Sequence, residues 1–257
     1  MNFKTLLCTG IAVIVCFIFV QNFISSNNRK DTLIIGTTAD YAPFVSINAQ
    51  GEYEGFDIDI AIQLAEKMGK QLIIKDLGSM SPLFISLEQE TIDAIIWGLS
   101  ITQERLEKVI LIRYQGEYTT SYPLIFWKNI PEKISTIQDM QNMTVCVEAG
   151  SSQDAVLNNY PFINKKYKER VDDALLDIQY AKADAALVEP AIARKFKNKY
   201  PEIQVIDVPL APKDQVQGIG IAIKQSNINL AEEIQKNIMA LQQEGVITQL
   251  EQKWNIS

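Results

Sequence analysis

The side chains that could bind a small charged molecule are gathered in four segments, each at the predicted end of a strand. The segments are residues 38–44, 97–105, 148–152 and 187–190. They supply Arg105, whose guanidinium can grip a carboxylate with two hydrogen bonds, and Glu189, whose carboxylate can pair with an ammonium group. An amino acid needs both partners and a desolvated flank for its side chain. The segments therefore predict an amino-acid site at the carboxyl ends of the strands.

Each of these residues also has an ordinary structural explanation. Arg105 could be a solvated side chain in the first turn of a helix that Thr102 caps. Glu189, just before Pro190, could simply complement a helix N-terminus, and Tyr41 could belong to the core. The convergence of a cation, a carboxylate, helix-start amides and aromatic walls at strand ends favours the binding site.

The composition of the 257-residue chain excludes several classes of function. There is no histidine, which removes the commonest metal ligand and the commonest general base, so we expect no metal site and no cofactor. The net charge of −7, without a basic face, argues against a nucleic-acid partner. Cys8 and Cys16 lie in the N-terminal apolar stretch, so Cys146 is expected to be a buried core side chain without a disulfide partner.

The first 27 residues have the pattern of an export segment. Lys4 precedes an apolar run from Leu6 to Val20, and a polar stretch follows. A basic start and about 15 apolar residues are typical of a secretory signal peptide. If it is extended through Ile24, the run nearly reaches the length of about 20 residues that a membrane-spanning helix needs. An uncleaved membrane anchor therefore remains an alternative. Either way, we expect the body in the periplasm or exposed at the cell surface.

The rest of the chain alternates strands and helices. Apolar runs bounded by turns predict strands at 33–37, 71–75, 92–96, 124–127, 144–147, 164–167, 185–188, 203–208 and 219–223. Periodicity and capping residues predict helices at 57–68, from Pro82, near 136–140, from Ser152, at 171–181, from Pro190, and at 230–241 and 246–254. This rhythm implies an α/β fold whose sheets are covered by helices on both faces.

Several strings, in this order and spacing, make the body similar to the polar amino-acid periplasmic binding proteins of ABC importers, family 3. The strings are TADYAPF, EGFDIDIA, DAIIWGLSITQER, VEAGSS and GIGIAIK. The pairing of GFDID with GLSIT-x-ER is the most specific of them. Two further segments, ALVEPAIAR and the C-terminal EGVITQLEQKWNIS, resemble the arginine-binding members of that family.

The resemblance implies a two-lobed periplasmic-binding-protein type II fold with two strands crossing the hinge. Lobe one would comprise residues 32–123 and 216–257, and lobe two residues 124–215. The lobes would close around one amino acid, and the closed form would be recognised by an inner-membrane permease. Such a protein is not an enzyme, and we expect a monomer.

Residue by residue, the resemblance also implies which groups hold the ligand's backbone. Arg105 would hold the α-carboxylate, helped by the hydroxyl and amide of Ser152. The carbonyl of Gly98, with Ser100 and Glu189, would hold the α-ammonium.

Other positions would shape the space for the ligand's side chain. Tyr41 would stack on that side chain, and Asp57 would brace the loop beneath it. Met80 stands where relatives usually carry an aromatic residue. Methionine there loses part of a cation–π attraction that is worth up to about 2 kcal/mol when desolvated. Trp97 occupies a usually small position, where it could supply the missing wall or shorten the pocket.

The expected ligand is a basic amino acid, arginine, with glutamine or another polar amino acid as the alternative. Thr38 stands where several binders of basic amino acids carry an acid. Asp40 and Glu54 are nearby candidates for that charge.

Two readings from other classes stay open on the sequence. Some cyclohexadienyl dehydratases share this fold family, and Glu189 would be the acid of such an enzyme, although no histidine supports it. A membrane-tethered sensor would use the same lobes with an uncleaved apolar anchor. The motifs favour amino-acid binding over both.

Overall fold

The computed structural model describes residues 31–39, 41–116 and 118–256. The predicted export segment and Asp40 lie outside these described residues. Among them, no helix is long and apolar enough to cross a membrane.

The strands of the described chain form two five-stranded sheets and one small hairpin. In chain order they are β1 Thr32–Thr37, β2 Ser46–Ile47, β3 Tyr53–Glu54, β4 Gln71–Asp76, β5 Ala94–Ile95, β6 Val109–Gln115, β7 Ser121–Trp127, β8 Thr144–Glu148, β9 Asn164–Lys168, β10 Ala185–Leu187, β11 Ile203–Pro209 and β12 Ile219–Lys224. The first sheet has the order β4-β1-β5-β12-β6 and the second β11-β7-β10-β8-β9, while β2 pairs with β3.

The helices lie between these strands, as the alternating pattern predicts. They are α1 Phe56–Met68, α2 Met80–Glu88, α3 Gln103–Leu106, α4 Ser152–Leu157, α5 Val171–Gln179, α6 Pro190–Lys199, α7 Ile228–Gln243 and α8 Val246–Trp254. The apolar face of α1 is buried, and Gly69 ends the helix in the left-handed conformation that favours glycine. The α/β fold with two lobes, one around each five-stranded sheet, is therefore confirmed.

The structure corrects the predicted elements in three places. The helix expected near 136–140 is a short 3₁₀ turn at Ile137–Asp139. The pattern missed β6, because its apolar residues follow α3 without a glycine or proline to separate them. It also missed the β2–β3 hairpin, whose strands are too short to show alternation.

Two chain segments cross between the sheets side by side. The first links β6 to β7, and the second links β11 to β12. Thr119 and Val216 form a bridge between them, with the Thr119 amide donating to the Val216 carbonyl at 2.9 Å. Where β6 and β12 enter the first sheet they pair as neighbours, and β7 and β11 do so in the second. A pair of adjacent crossing strands is the geometry of a hinge.

Parallel strands carry the loops of the site to the facing edges of both sheets. β1 pairs in parallel with β4 and β5 in the first sheet, and β8 pairs in parallel with β10 in the second. The loops after these strands therefore lie together at the carboxyl ends. Cys146, in the middle of β8, is fully buried and unpaired, as its apolar setting predicts.

Candidate ligand-binding site between the lobes

The eight residues predicted to contact a ligand all line one cavity between the two sheets. They are Tyr41, Met80, Trp97, Gly98, Ser100 and Arg105 from the first lobe, and Ser152 and Glu189 from the second. The cavity has a free volume of about 10 Å³, which is close to what a single water molecule needs. The site is thus assembled from both lobes and is nearly closed.

Arg105 is buried, with 8% of its surface exposed, and its guanidinium reaches across the cleft. One terminal nitrogen donates to the Ser100 carbonyl at 2.8 Å, and the other lies 3.4 Å from both the Met80 sulfur and the Gly150 carbonyl. All three acceptors are uncharged. Burial lowers the pKa of Arg105, because the charged form has lost water, yet guanidinium stays protonated in proteins.

The short helix α3 positions Arg105. Thr102 is its N-cap, and the hydroxyl accepts from the Arg105 amide at 3.3 Å, as the sequence predicted. The side chain therefore leaves from the first turn toward the cavity rather than toward solvent. The solvated alternative for Arg105 is wrong.

Glu189 is the N-cap residue of α6, but its side chain makes no capping hydrogen bond. Its Oε1 instead accepts from the Ser100 hydroxyl and from the Gln153 amide, both at 2.7 Å. Burial raises the pKa of Glu189, and these donors partly offset that effect. The bond to Ser100 joins residues 89 apart in sequence and links the two lobes.

Ser152 completes the polar contact between the lobes. Its hydroxyl lies 3.4 Å from both the Ser100 hydroxyl and Glu189 Oε1, and it accepts from the Tyr122 hydroxyl at 2.7 Å. Ser152 is therefore held by a buried donor on β7 while it faces the cavity.

An aromatic wall closes one side of the cavity. The Tyr41 ring lies 5.2 Å from the Trp97 ring, tilted by 50°, and is stacked on Phe44 at 5.6 Å. Gly98 has a φ of +52°, and a Cβ there would come within 2.9 Å of the Tyr41 ring. The wall therefore requires glycine at this position. The indole N–H of Trp97 has no hydrogen-bond partner in the described part of the chain.

Asp57 lies beneath this wall and is fully buried at the start of α1. Its carboxylate accepts from the Gly98 amide and, at 2.7 Å, from the Tyr114 hydroxyl. It thus occupies the position of the brace that the resemblance implied. Burial raises the pKa of Asp57 from 3.8 to about 7, although both hydrogen bonds oppose the shift.

We expect Asp57→Asn to remove part of the pH dependence of folding stability. Because the folded-state pKa is raised, the carboxyl favours folding below pH 4, and this contribution is lost as the pH rises to about 7. Asparagine stays neutral, can accept from Gly98 and can donate to Tyr114. Melting temperatures between pH 4 and pH 8 should therefore fall less steeply in the variant than in the wild type. Exposed Asp207→Asn is the control, and identical curves for Asp57→Asn and the wild type would contradict the prediction.

The sequence did not single out four residues of the cavity wall. Leu99, Glu148, Ser151 and Gln153 also line the cavity. The first three lie within the segments predicted to carry the site, and Gln153 directly follows Ser152, so nearness in the chain was the available signal. Thr38, expected to support the site, is buried and is not among the residues that line the cavity.

A second, larger cavity of about 740 Å³ lies on the hinge side, and Gly98, Ser100 and Glu189 line both cavities. Its other walls come from the crossing segments, α6 and α8. No cluster of metal-ligating side chains occurs among the described residues.

Comparisons with known proteins identify the family of this chain. A model of bacterial extracellular solute-binding proteins, family 3, matches residues 33–257. The probable ABC transporter arginine-binding protein ArtJ of Chlamydia trachomatis is 33% identical over 90% of this chain and 88% of its own length. The arginine-binding extracellular protein ArtP of Bacillus subtilis is 26% identical over 94% of this chain and 95% of its own length. A mutant of ArgBP from T. maritima superposes with a TM-score of 0.79 at 28% identity, covering 91% of this chain and 99% of that one.

Proposed function

The chain belongs to the family 3 bacterial extracellular solute-binding proteins, and on that premise we propose that it is the arginine-binding component of an ABC importer. Its relatives bind amino acids for transport, so it is an amino-acid binding protein rather than an enzyme. What we propose beyond this is the identity of the ligand, the residues that bind it and the periplasm as the site of action.

The observation that carries the proposal is that Arg105 and Glu189 line the same cavity between the lobes. Arg105 would hold the ligand's α-carboxylate, with Ser152 beside it. Glu189 would hold the α-ammonium, with the Ser100 hydroxyl and the Gly98 carbonyl. Arg105 is buried and Glu189 is half-buried, so a zwitterion that pairs with each offsets the cost of their desolvation.

Binding would proceed by hinge closure. A cavity of about 10 Å³ cannot admit an amino acid, so we propose that the lobes, residues 32–123 with 216–257 and residues 124–215, open about the crossing segments. The ligand would first contact Tyr41 and Arg105, and closure would then add Ser152 and Glu189. The closed form would dock, as a monomer, on an inner-membrane permease after export to the periplasm.

Arginine is the ligand that the similarities favour, because the relatives named above carry arginine in their names. The neighbouring rings of Tyr41 and Trp97 offer aromatic faces on which a guanidinium can stack. Glutamine or another neutral polar amino acid is the second candidate. The unpartnered indole N–H of Trp97 favours it, because a side-chain oxygen could accept that hydrogen.

A thermal-shift screen tests the proposal. The purified protein is mixed with each of the twenty amino acids, ornithine and citrulline at the same concentration. Arginine at 100 times its Kd should add about 2.7 kcal/mol of stability, which raises Tm by roughly 5–10 °C. Agmatine lacks the carboxylate and 5-guanidinopentanoate lacks the α-ammonium, so neither should reproduce the shift. A shift with glutamine alone would replace the ligand, and no shift with any amino acid would refute the proposal.

A further inference from the structure

The wall of the ligand cavity contains a second carboxylate, Glu148, that the proposed contacts with the ligand backbone do not use. Glu148 is the last residue of β8 and is half-buried. Two residues further on, the Gly150 carbonyl faces the Arg105 guanidinium at 3.4 Å. The strand end therefore carries the Glu148 carboxylate to the same space as the guanidinium.

The charges of the wall do not match a neutral amino acid. Among the described residues, the charged side chains of the lining are one guanidinium, Arg105, and two carboxylates, Glu148 and Glu189. The α-carboxylate and α-ammonium of a ligand would use Arg105 and Glu189. A ligand whose side chain carries a positive charge would balance the charges of this wall and could form an ion pair with the second carboxylate, whereas a neutral side chain could only donate a hydrogen bond to it.

Glu148 also lies near the part of the wall that would face the ligand's side chain. Tyr41 and Glu148 line the same cavity, and the charge of Glu148 adds to burial and Glu189 in raising the pKa of Tyr41. A Cβ on Gly150 would lie 3.6 Å from the Met80 sulfur, so this loop packs against Met80. Tyr41 and Met80 are the positions that were predicted to flank the ligand's side chain.

We propose that Glu148 is the specificity-determining acid of this site and accepts hydrogen bonds from the guanidinium or ammonium at the end of a basic amino acid. It would supply the charge that Thr38 lacks and that the sequence alone suggested at Asp40 or Glu54. A carboxylate has about four lone-pair sites, so Glu148 can keep other contacts and still bind the ligand. This inference rests on the proposed function, because it assumes that the ligand is an amino acid held at Arg105 and Glu189.

The test is titration calorimetry of wild type and Glu148→Gln with arginine and with citrulline, its neutral isostere. A lost charge-assisted hydrogen bond should weaken arginine binding by about 10- to 100-fold. Citrulline affinity should fall less than arginine affinity, because the neutral ureido group can donate to either side chain at position 148 but forms no ion pair with the carboxylate. The selectivity of the wild type for arginine over citrulline should therefore shrink or disappear in the variant.

Control variants separate this role from a structural one. Glu169→Gln changes an exposed glutamate outside the cavity lining and should leave both affinities unaltered. Glu148→Asp keeps the charge and should retain part of the selectivity. Equal losses for arginine and citrulline, or unchanged arginine affinity in Glu148→Gln, would overturn the assignment. If the wild type binds no basic amino acid, the proposed ligand is wrong. If the wild type binds arginine and Glu148→Gln keeps the same selectivity, only the role of Glu148 is refuted.

Discussion

Replacing Arg105 with alanine should weaken amino-acid binding by about 30- to 5,000-fold, corresponding to about 2–5 kcal/mol for leaving a buried carboxylate unpaired. The reason is geometric as well as electrostatic. The guanidinium is held at 8% exposure by three uncharged acceptors, so its charge faces the cavity with no carboxylate of the described residues in hydrogen-bond contact. The measurement is titration calorimetry with the ligand that the thermal-shift screen identifies.

Two further variants sharpen the result for Arg105. Arg105→Lys keeps the positive charge but loses the fork that binds both carboxylate oxygens, so its affinity should fall between those of the wild type and Arg105→Ala. Arg113→Ala removes an exposed arginine that does not line this cavity, and it should bind like the wild type. Unchanged affinity in Arg105→Ala, with the ligand-free protein folded, would remove Arg105 from the site.

Replacing Glu189 with glutamine should reduce affinity for the amino acid by a similar factor, about 30- to 5,000-fold. Glutamine can still accept from the Ser100 hydroxyl, so the contact between the lobes need not be lost. What disappears is the negative charge that would pair with the α-ammonium. Acid should have the same effect, since burial raises the pKa of Glu189 and protonation at low pH removes this charge.

A ligand analogue distinguishes loss of this ion pair from general damage. The deaminated analogue 5-guanidinopentanoate has no α-ammonium, so its weak affinity should be the same in the wild type and in Glu189→Gln. Glu132→Gln, at an exposed position, is the matched control and should bind the amino acid normally. If Glu189→Gln lowered the affinity of both ligands equally, Glu189 would act on lobe closure and not on the ammonium.

Most of the fold could be predicted because its determinants are local. The buried face of α1 repeats at helical spacing and ends at Gly69, and apolar runs bounded by turns marked most strands of both sheets. The site residues were predictable for a different reason. The motif strings carry them at strand ends, and parallel strands bring those ends to one edge of a sheet.

The sequence by itself therefore determined the fold class, the family and the eight residues that meet in the cavity. Only the tertiary structure decided which side chains touch there, because those contacts join residues far apart in the chain. Ser100 meets Glu189 across 89 positions, and Tyr122 meets Ser152 across 30. The same packing buries Thr38 outside the cavity lining and brings Glu148 into the wall, and no local sequence pattern encodes which side chains at a strand end will face the cavity.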